Sequence, residues 1–271
     1  MGLLKFFKLE MTRPTSYGWF HLMFVALVIA ATTLLIIFFK NSKDKTFRRI
    51  ALIGWIIMLV FEIYKQIEYS ANITETGVEW DYQWYAFPYQ LCSTPLYILP
   101  VVAFMKEGKV RDFFTAYIST FALFGGIVVF IYPNDVFVRT AGINIQTMIH
   151  HGLQVVLGIY FAVYNRKKLN IKYFLKSIPV FVGLLLIACI LNEVIYYSVV
   201  SKIDETFNMF YISRHFDCTL VILNQIYLVV PWFVFLLIYV IGFAIASIAV
   251  FYIIVGILKL VAKIKSKNVK Q

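Results

Sequence analysis

The sequence predicts an all-α fold, a polytopic membrane helix bundle of about seven transmembrane helices, and three observations predict it. Hydrophobic residues make up 61% of the 271 positions and charged residues only 14%, with a mean hydropathy of +0.80. Apolar runs close to the roughly 20 residues needed to cross a hydrocarbon core of about 30 Å recur along the whole chain. The basic residues gather in alternate connections between those runs. No connection is long enough for a soluble domain, so residues 1–271 are expected to form a single transmembrane domain.

Expected spans fall near 19–39, 50–70, 88–106, 113–133, 147–164, 177–199 and 234–258. Ahead of them, residues 1–17 read as an interfacial segment, because Leu4, Phe6, Phe7 and Leu9 alternate with Lys5 and Lys8. Lys40, Lys43, Lys45, Arg48 and Arg49 follow the first span, and Lys106, Lys109 and Arg111 follow the third. Further clusters follow the fifth and seventh, whereas the connection at 70–87 has no basic residue and carries Glu75, Glu79 and Asp81. By the positive-inside rule the amino terminus is expected outside and the carboxyl terminus in the cytoplasm, ending in a basic tail at 263–271. The net charge of +11 is then a record of topology, and no nucleic-acid partner is expected. Residues 200–230 mix Arg214, His215, Asp217 and Asn224 with apolar side chains, which leaves an outer loop and a re-entrant segment both open. The apolar stretch from 227 to 262 is too long for one straight span. Pro231-Trp232 marks the expected start of a tilted one.

Polar residues inside the spans point to function, because ionisable groups in lipid are costly. Glu62, Lys65, Gln66 and Glu68 lie late in the second span, and Gln90 and Cys92 lie early in the third. His150, His151 and Gln154 open the fifth, and Asn192 with Glu193 close the sixth. All fall toward the same side, Cys92 and His151 each about 6 Å below the outer boundary at a rise of 1.5 Å per residue. A shared polar pocket is expected there. Glu62 and Lys65, three apart on one helix face, are more readily a self-neutralising pair than a ligand site. A thiol and an imidazole at one depth form a candidate nucleophile–base pair, Cys92 with His151, although an inert buried thiol and a helix-bridging histidine are the commoner outcome. Which of His150 and His151 faces Cys92 is open. A Cys92–Cys218 bridge is possible, since both lie toward the outer side. No Walker loop, dinucleotide fingerprint or metal-ligand spacing is evident, so no cofactor and no metal are expected.

At these residues the chain resembles a known family. Phe87-Pro88-Tyr89-Gln90-Leu91-Cys92-Ser93 resembles the Leu-Pro-x-His-Leu-Cys motif of the bacterial YwaF-type integral membrane proteins. That group is related to a eukaryotic transmembrane acyltransferase of polyunsaturated ether phospholipids. Ile149-His150-His151-Gly152 is similar to the family's apolar-His-Gly motif, with His151 on its histidine. Asn192, the run from Asn208 to Arg214, and Pro231-Trp232 resemble further elements in order, and Glu62 falls where the family carries an acidic residue. Gln90 departs from the family's histidine, and Ser213 and His215 depart from its Cys-Arg-Lys-Pro continuation.

The resemblance implies a bacterial plasma-membrane enzyme moving acyl groups between membrane phospholipids through Cys92 and His151. In that reading Asn192 or Glu62 orients the imidazole, Gln90 and amides near Ser93 donate to the oxyanion, and Arg214 pairs with a phosphate. Lys65, Gln154 and Glu193 complete the candidate set. Two other classes stand beside it. One is a transporter or proton-coupled carrier using Glu62, Lys65, Glu68, His151 and Glu193, and the other is a noncatalytic lipid-binding protein. The sequence sets no oligomeric state.

Overall fold

The computed structural model describes residues 2–268, and helices dominate it. Among the described residues six helices are long and apolar enough to cross a membrane. A short α1 (Gly2–Phe7) precedes α2 (Trp19–Phe39) and α3 (Asp44–Ser70). Asp44 opens α3 with a carboxylate at the positive end of the helix dipole. A small hairpin, β1 (Ala71–Ile73) with β2 (Val78–Trp80), leads into the third predicted segment.

That segment departs from expectation. A 3-10 turn at Leu91–Ser93 gives way to α4 (Pro95–Phe104), a helix of only 10 residues and so about 15 Å long, half of a hydrocarbon core. Proline is the cause. Pro88 keeps Phe87 before it extended, at ψ of 134°, whereas Thr94 is already helical and Pro95 suits the first turn of α4. Of the seven expected crossings, this one is too short by itself.

Next come α5 (Lys109–Tyr117), a π turn at Ile118–Ala122 and α6 (Leu123–Ile131), continuous over 23 residues. The Ser119 and Thr120 hydroxyls return to the carbonyls of Thr115 and Ala116, at 2.6 and 2.7 Å, where the ladder loosens. The remaining long helices are α7 (Ala141–Tyr164), α8 (Ile171–Ser198) and α10 (Trp232–Asn268), with a short α9 (Leu223–Tyr227) before the last. Asn170 caps α8 by accepting the Tyr173 N–H at 3.2 Å. Pro231 immediately precedes α10, which then runs unbroken for 37 residues. Of the basic tail at 263–271, residues 269–271 lie outside the described residues.

At the centre stands α7, packed against α2, α3, α6 and the π turn. Glycine permits the approach: a Cβ on Gly126 would lie 2.8 Å from the His151 carbonyl oxygen, and one on Gly158 would lie 2.7 Å from Leu123 Cβ. Aromatic stacking fills the space beside it, with Phe121 on Phe181 at 4.2 Å and Tyr239 on Phe243 at 4.3 Å.

The two ends of the bundle differ. One gathers the basic connections, tied by Arg111–Asp44 at 2.6 Å and by Lys168 and Lys176 on Asp112 at 3.0 and 2.8 Å. Burial works against the Lys168 charge, yet the Asp112 and Glu107 carboxylates hold its ammonium above the usual lysine range. The other end gathers the irregular segments. There the amino-terminal stretch is strapped to protein, with Lys8 Nζ donating to the Glu68 carbonyl at 2.7 Å and Met11 N to Arg139 O at 2.7 Å.

Candidate functional site

The irregular backbone around Cys92 explains where the polar residues of the neighbouring helices go. A carbonyl freed from helical bonding inside a membrane bundle needs a donor from elsewhere. The Cys92 carbonyl receives two. His150 Nε2 lies 2.9 Å from it and Gln154 Nε2 donates at 3.0 Å. One turn further, Trp55 Nε1 of α3 donates to Leu96 O at 2.9 Å. Within the segment, the Thr94 hydroxyl donates to Leu91 O at 2.6 Å and meets the Tyr117 hydroxyl, also at 2.6 Å.

These contacts settle two tautomers. A carbonyl only accepts, so His150 carries its proton on Nε2, leaving Nδ1 as a buried lone pair without a partner among the described residues. His151 instead donates from Nδ1 to Thr147 O at 2.8 Å and keeps its lone pair on Nε2. The rings of the two histidines lie 5.7 Å apart. His150 therefore touches the backbone of Cys92, and His151 stands one ring away.

On α3, Glu62 is 4% exposed and bonds within its own helix, to Lys65 at 2.9 Å and from Gln66 at 2.7 Å. Gln66 also donates to Ala86 O at 2.8 Å, joining α3 to the connection that leads to Cys92. Lys65 lies within electrostatic reach of Cys92, His150 and His151. The helix-spaced pair expected from the sequence is thus present. Glu62 makes no hydrogen bond to either imidazole: Oε1 meets Lys65 and Gln66, and Oε2 is buried without a partner among the described residues.

Gln90 and Asn192 have work other than the chemistry expected of them. Gln90 donates to Asn208 O at 2.9 Å and accepts from Phe210 N at 2.8 Å. Asn192 donates to Met209 O at 3.0 Å and accepts from Met209 N at 2.7 Å. The oxygen and one N–H of each amide are committed to backbone, and neither side chain is hydrogen-bonded to an imidazole. The Ser93 N–H is committed as well, to Gln90 O at 2.8 Å. What the amides hold is a strained loop: Phe210 and Tyr211 both take φ of 58°, left-handed backbone that bulky residues seldom adopt. Asn208, whose side chain accepts from Ser213 N at 2.9 Å, closes the loop from within. Burial, with smaller electrostatic contributions from Cys92 and Cys218, pushes the Tyr211 hydroxyl up to about 12.

Arg214 is engaged by Glu193 through two nitrogens, at 3.1 and 2.7 Å, and lies 5.3 Å over the Trp232 ring. His215 stacks on Tyr196 at 3.6 Å and also meets Glu193, at 3.3 Å. This cluster is separate in its bonding from the Cys92 turn. All three cysteines are free, so the possible Cys92–Cys218 bridge is not formed. Two surface cavities, of about 310 and 500 Å3, open at the basic end of the bundle, and no candidate residue lines either.

A family model described as TMEM164 family matches residues 15–255. The chain belongs to the TMEM164 family. With six membrane-length apolar helices, this member of the TMEM164 family is an integral membrane protein. The narrower YwaF-type placement expected from the motifs has no match behind it. No curated protein and no solved structure matches the chain.

Three residues at the site escaped assignment from sequence. His150 was visible as a neighbour of His151, but nothing in the order of residues says which ring meets the Cys92 turn. Asn208 lay inside a recognised motif without a role. Tyr117 carried no signal, since a tyrosine in an apolar helix is ordinarily core.

Proposed function

We propose that this member of the TMEM164 family is a cysteine-dependent acyltransferase, moving a fatty acyl group between phospholipids through a thioester on Cys92. The observation that carries this reading is the pinned Cys92 turn. Two buried side chains of α7 grip its carbonyl, and an imidazole of fixed tautomer stands beside them. His151 Nε2 accepts the Cys92 thiol proton, and the thiolate attacks the ester carbonyl carbon of the donor lipid. As the carbon–oxygen bond breaks, the departing lysophospholipid oxygen takes that proton from His151. An acceptor hydroxyl then gives its proton to His151 and attacks the thioester. The carbon–sulfur bond breaks and the thiol recovers the proton.

In this scheme His150 and Gln154 are positioning residues, and Glu62 with Lys65 supplies a neutral polar wall. The Gln90 amide nitrogen, which carries a second N–H beyond its bond to Asn208 O, donates to the oxyanion. The test is intact-protein mass spectrometry after incubating the detergent-purified chain with phospholipid. Wild type should gain one fatty acyl mass, removable by hydroxylamine, and Cys92→Ala should gain none. His151→Ala should slow acyl transfer by about 10²–10⁴-fold. Full transfer by Cys92→Ser or His151→Ala would end the mechanism.

A proton-coupled carrier is the second reading. Glu62 Oε2, His150 Nδ1 and Gln154 Oε1 favour it, all buried without partners among the described residues. Substrate flux into liposomes that disappears with Glu62→Gln and survives Cys92→Ala would put the carrier first. Lipid binding that survives Cys92→Ala, with no turnover and no flux, would leave the noncatalytic lipid-binding class.

A further inference from the structure

Independently of that reading, we propose that the groove at the basic end of the bundle binds an anionic membrane phospholipid through its headgroup phosphate. The groove encloses about 500 Å3 between the ends of α2, α7 and α10. Lys40, Arg166 and Lys259 form its charged rim, while Ile36, Val255 and Leu258 belong to its apolar floor. No carboxylate lines it.

Some cations of this end are matched, Arg111 by Asp44, Lys176 by Asp112, and Lys168 by Glu107 and Asp112, while Lys109, Lys167 and Lys172 form no ion pair among the described residues. What sets this groove apart is an apolar floor beneath its charges. Lys40 and Lys259 form no ion pair among the described residues. The Arg166 guanidinium donates only to uncharged oxygens, Lys40 O at 2.9 Å, Val163 O at 3.1 Å and Asn41 Oδ1. The fold thus gathers three positive charges and leaves them without a counter-ion. One is a guanidinium already held in place, the group best suited to phosphate oxygens.

The negative end of the α7 dipole favours cations near Arg166 in any case. It accounts neither for Lys259, which comes from α10, nor for an apolar floor. That floor continues into the outward faces of α2 and α10, whose most apolar stretches are only 11% and 17% buried. An acyl chain can lie along it while the phosphate sits at the rim, and a free phosphate would leave it bare.

The experiment is native mass spectrometry of the detergent-purified full chain titrated with phosphatidylglycerol, with phosphatidylcholine of the same chains, and with inorganic phosphate. Phosphatidylglycerol should bind at least tenfold more tightly than phosphatidylcholine. The double substitution Arg166→Gln with Lys259→Gln should weaken phosphatidylglycerol about thirtyfold. Leu258→Trp fills the floor, touches none of the Arg166 hydrogen bonds, and should weaken the same lipid about tenfold even where the double variant fails to fold. Lys109→Gln with Lys172→Gln removes equal charge from exposed positions outside the groove and should change binding less than about twofold.

An equal loss in that control pair would overturn the proposal in favour of diffuse surface charge. Displacement of the lipid by inorganic phosphate would overturn it in favour of a free-anion site. Full retention of phosphatidylglycerol by Leu258→Trp would show that the lipid lies elsewhere.

Discussion

Asn192, Gln90 and Asn208 share a task at the scale of single residues: each spends its amide on the backbone of the 208–213 loop. Replacing Asn192 by Leu leaves the Met209 N–H buried and unpaired, at about 1–3 kcal/mol, and leaves its C=O only the long 3.4 Å bond from Ile212 N. The expected result is a melting temperature lower by roughly 5 °C or more, with faster proteolytic cutting near Met209. An unchanged melting temperature together with unchanged protection would show that the clamp is dispensable. Sequence reading placed Gln90 and Asn192 in the right neighbourhood because burying an amide in lipid is costly, and that cost is visible from residue type and depth. It assigned them to chemistry because type and depth do not say which partner takes the donor. The missing partner was a loop with left-handed Phe210 and Tyr211, and no residue type announces that geometry in a bulky side chain.

Among the elements, the third segment and α7 set the limits of what periodicity reveals. Hydropathy located every long helix, since burial in lipid selects apolar residues whatever their neighbours. It began α7 near 147, whereas the helix starts at Ala141, because Asn144 and Gln146 interrupt the apolar run without interrupting the helix. It also read 88–106 as a full span, since apolar content does not register that an extended stretch at Pro88 and a 3-10 turn delay α4 to Pro95. The contact of α6 with α7 gives a sharp prediction. Gly126→Ala places a methyl 2.8 Å from His151 O and 2.9 Å from Gln154 Cβ, so the two helices must part beside the residues that hold the Cys92 carbonyl. Gly183→Ala meets nothing within 4 Å. The first variant should melt several degrees below wild type and the second should melt at or above it. Equal melting of both would mean that the close approach at Gly126 is slack.

For the molecule as a whole, charge separates one end from the other, and the positive-inside rule makes the basic end the expected cytoplasmic one. In a chain whose native cysteines are replaced, Glu75→Cys should react with a membrane-impermeant maleimide on intact cells. Lys43→Cys should react only after permeabilisation, and the reverse pattern would invert the topology. Length adds a consequence of its own. At 37 residues, α10 is about 55 Å long, so roughly 25 Å of helix is left over once an upright hydrocarbon core is crossed. Tilt takes up part of that excess, and the remainder is a stiff rod reaching into water. A small rigid protein spliced in helical phase onto the rod would turn with the bundle. It would give a molecule with little mass outside the bilayer a landmark for aligning single-particle images.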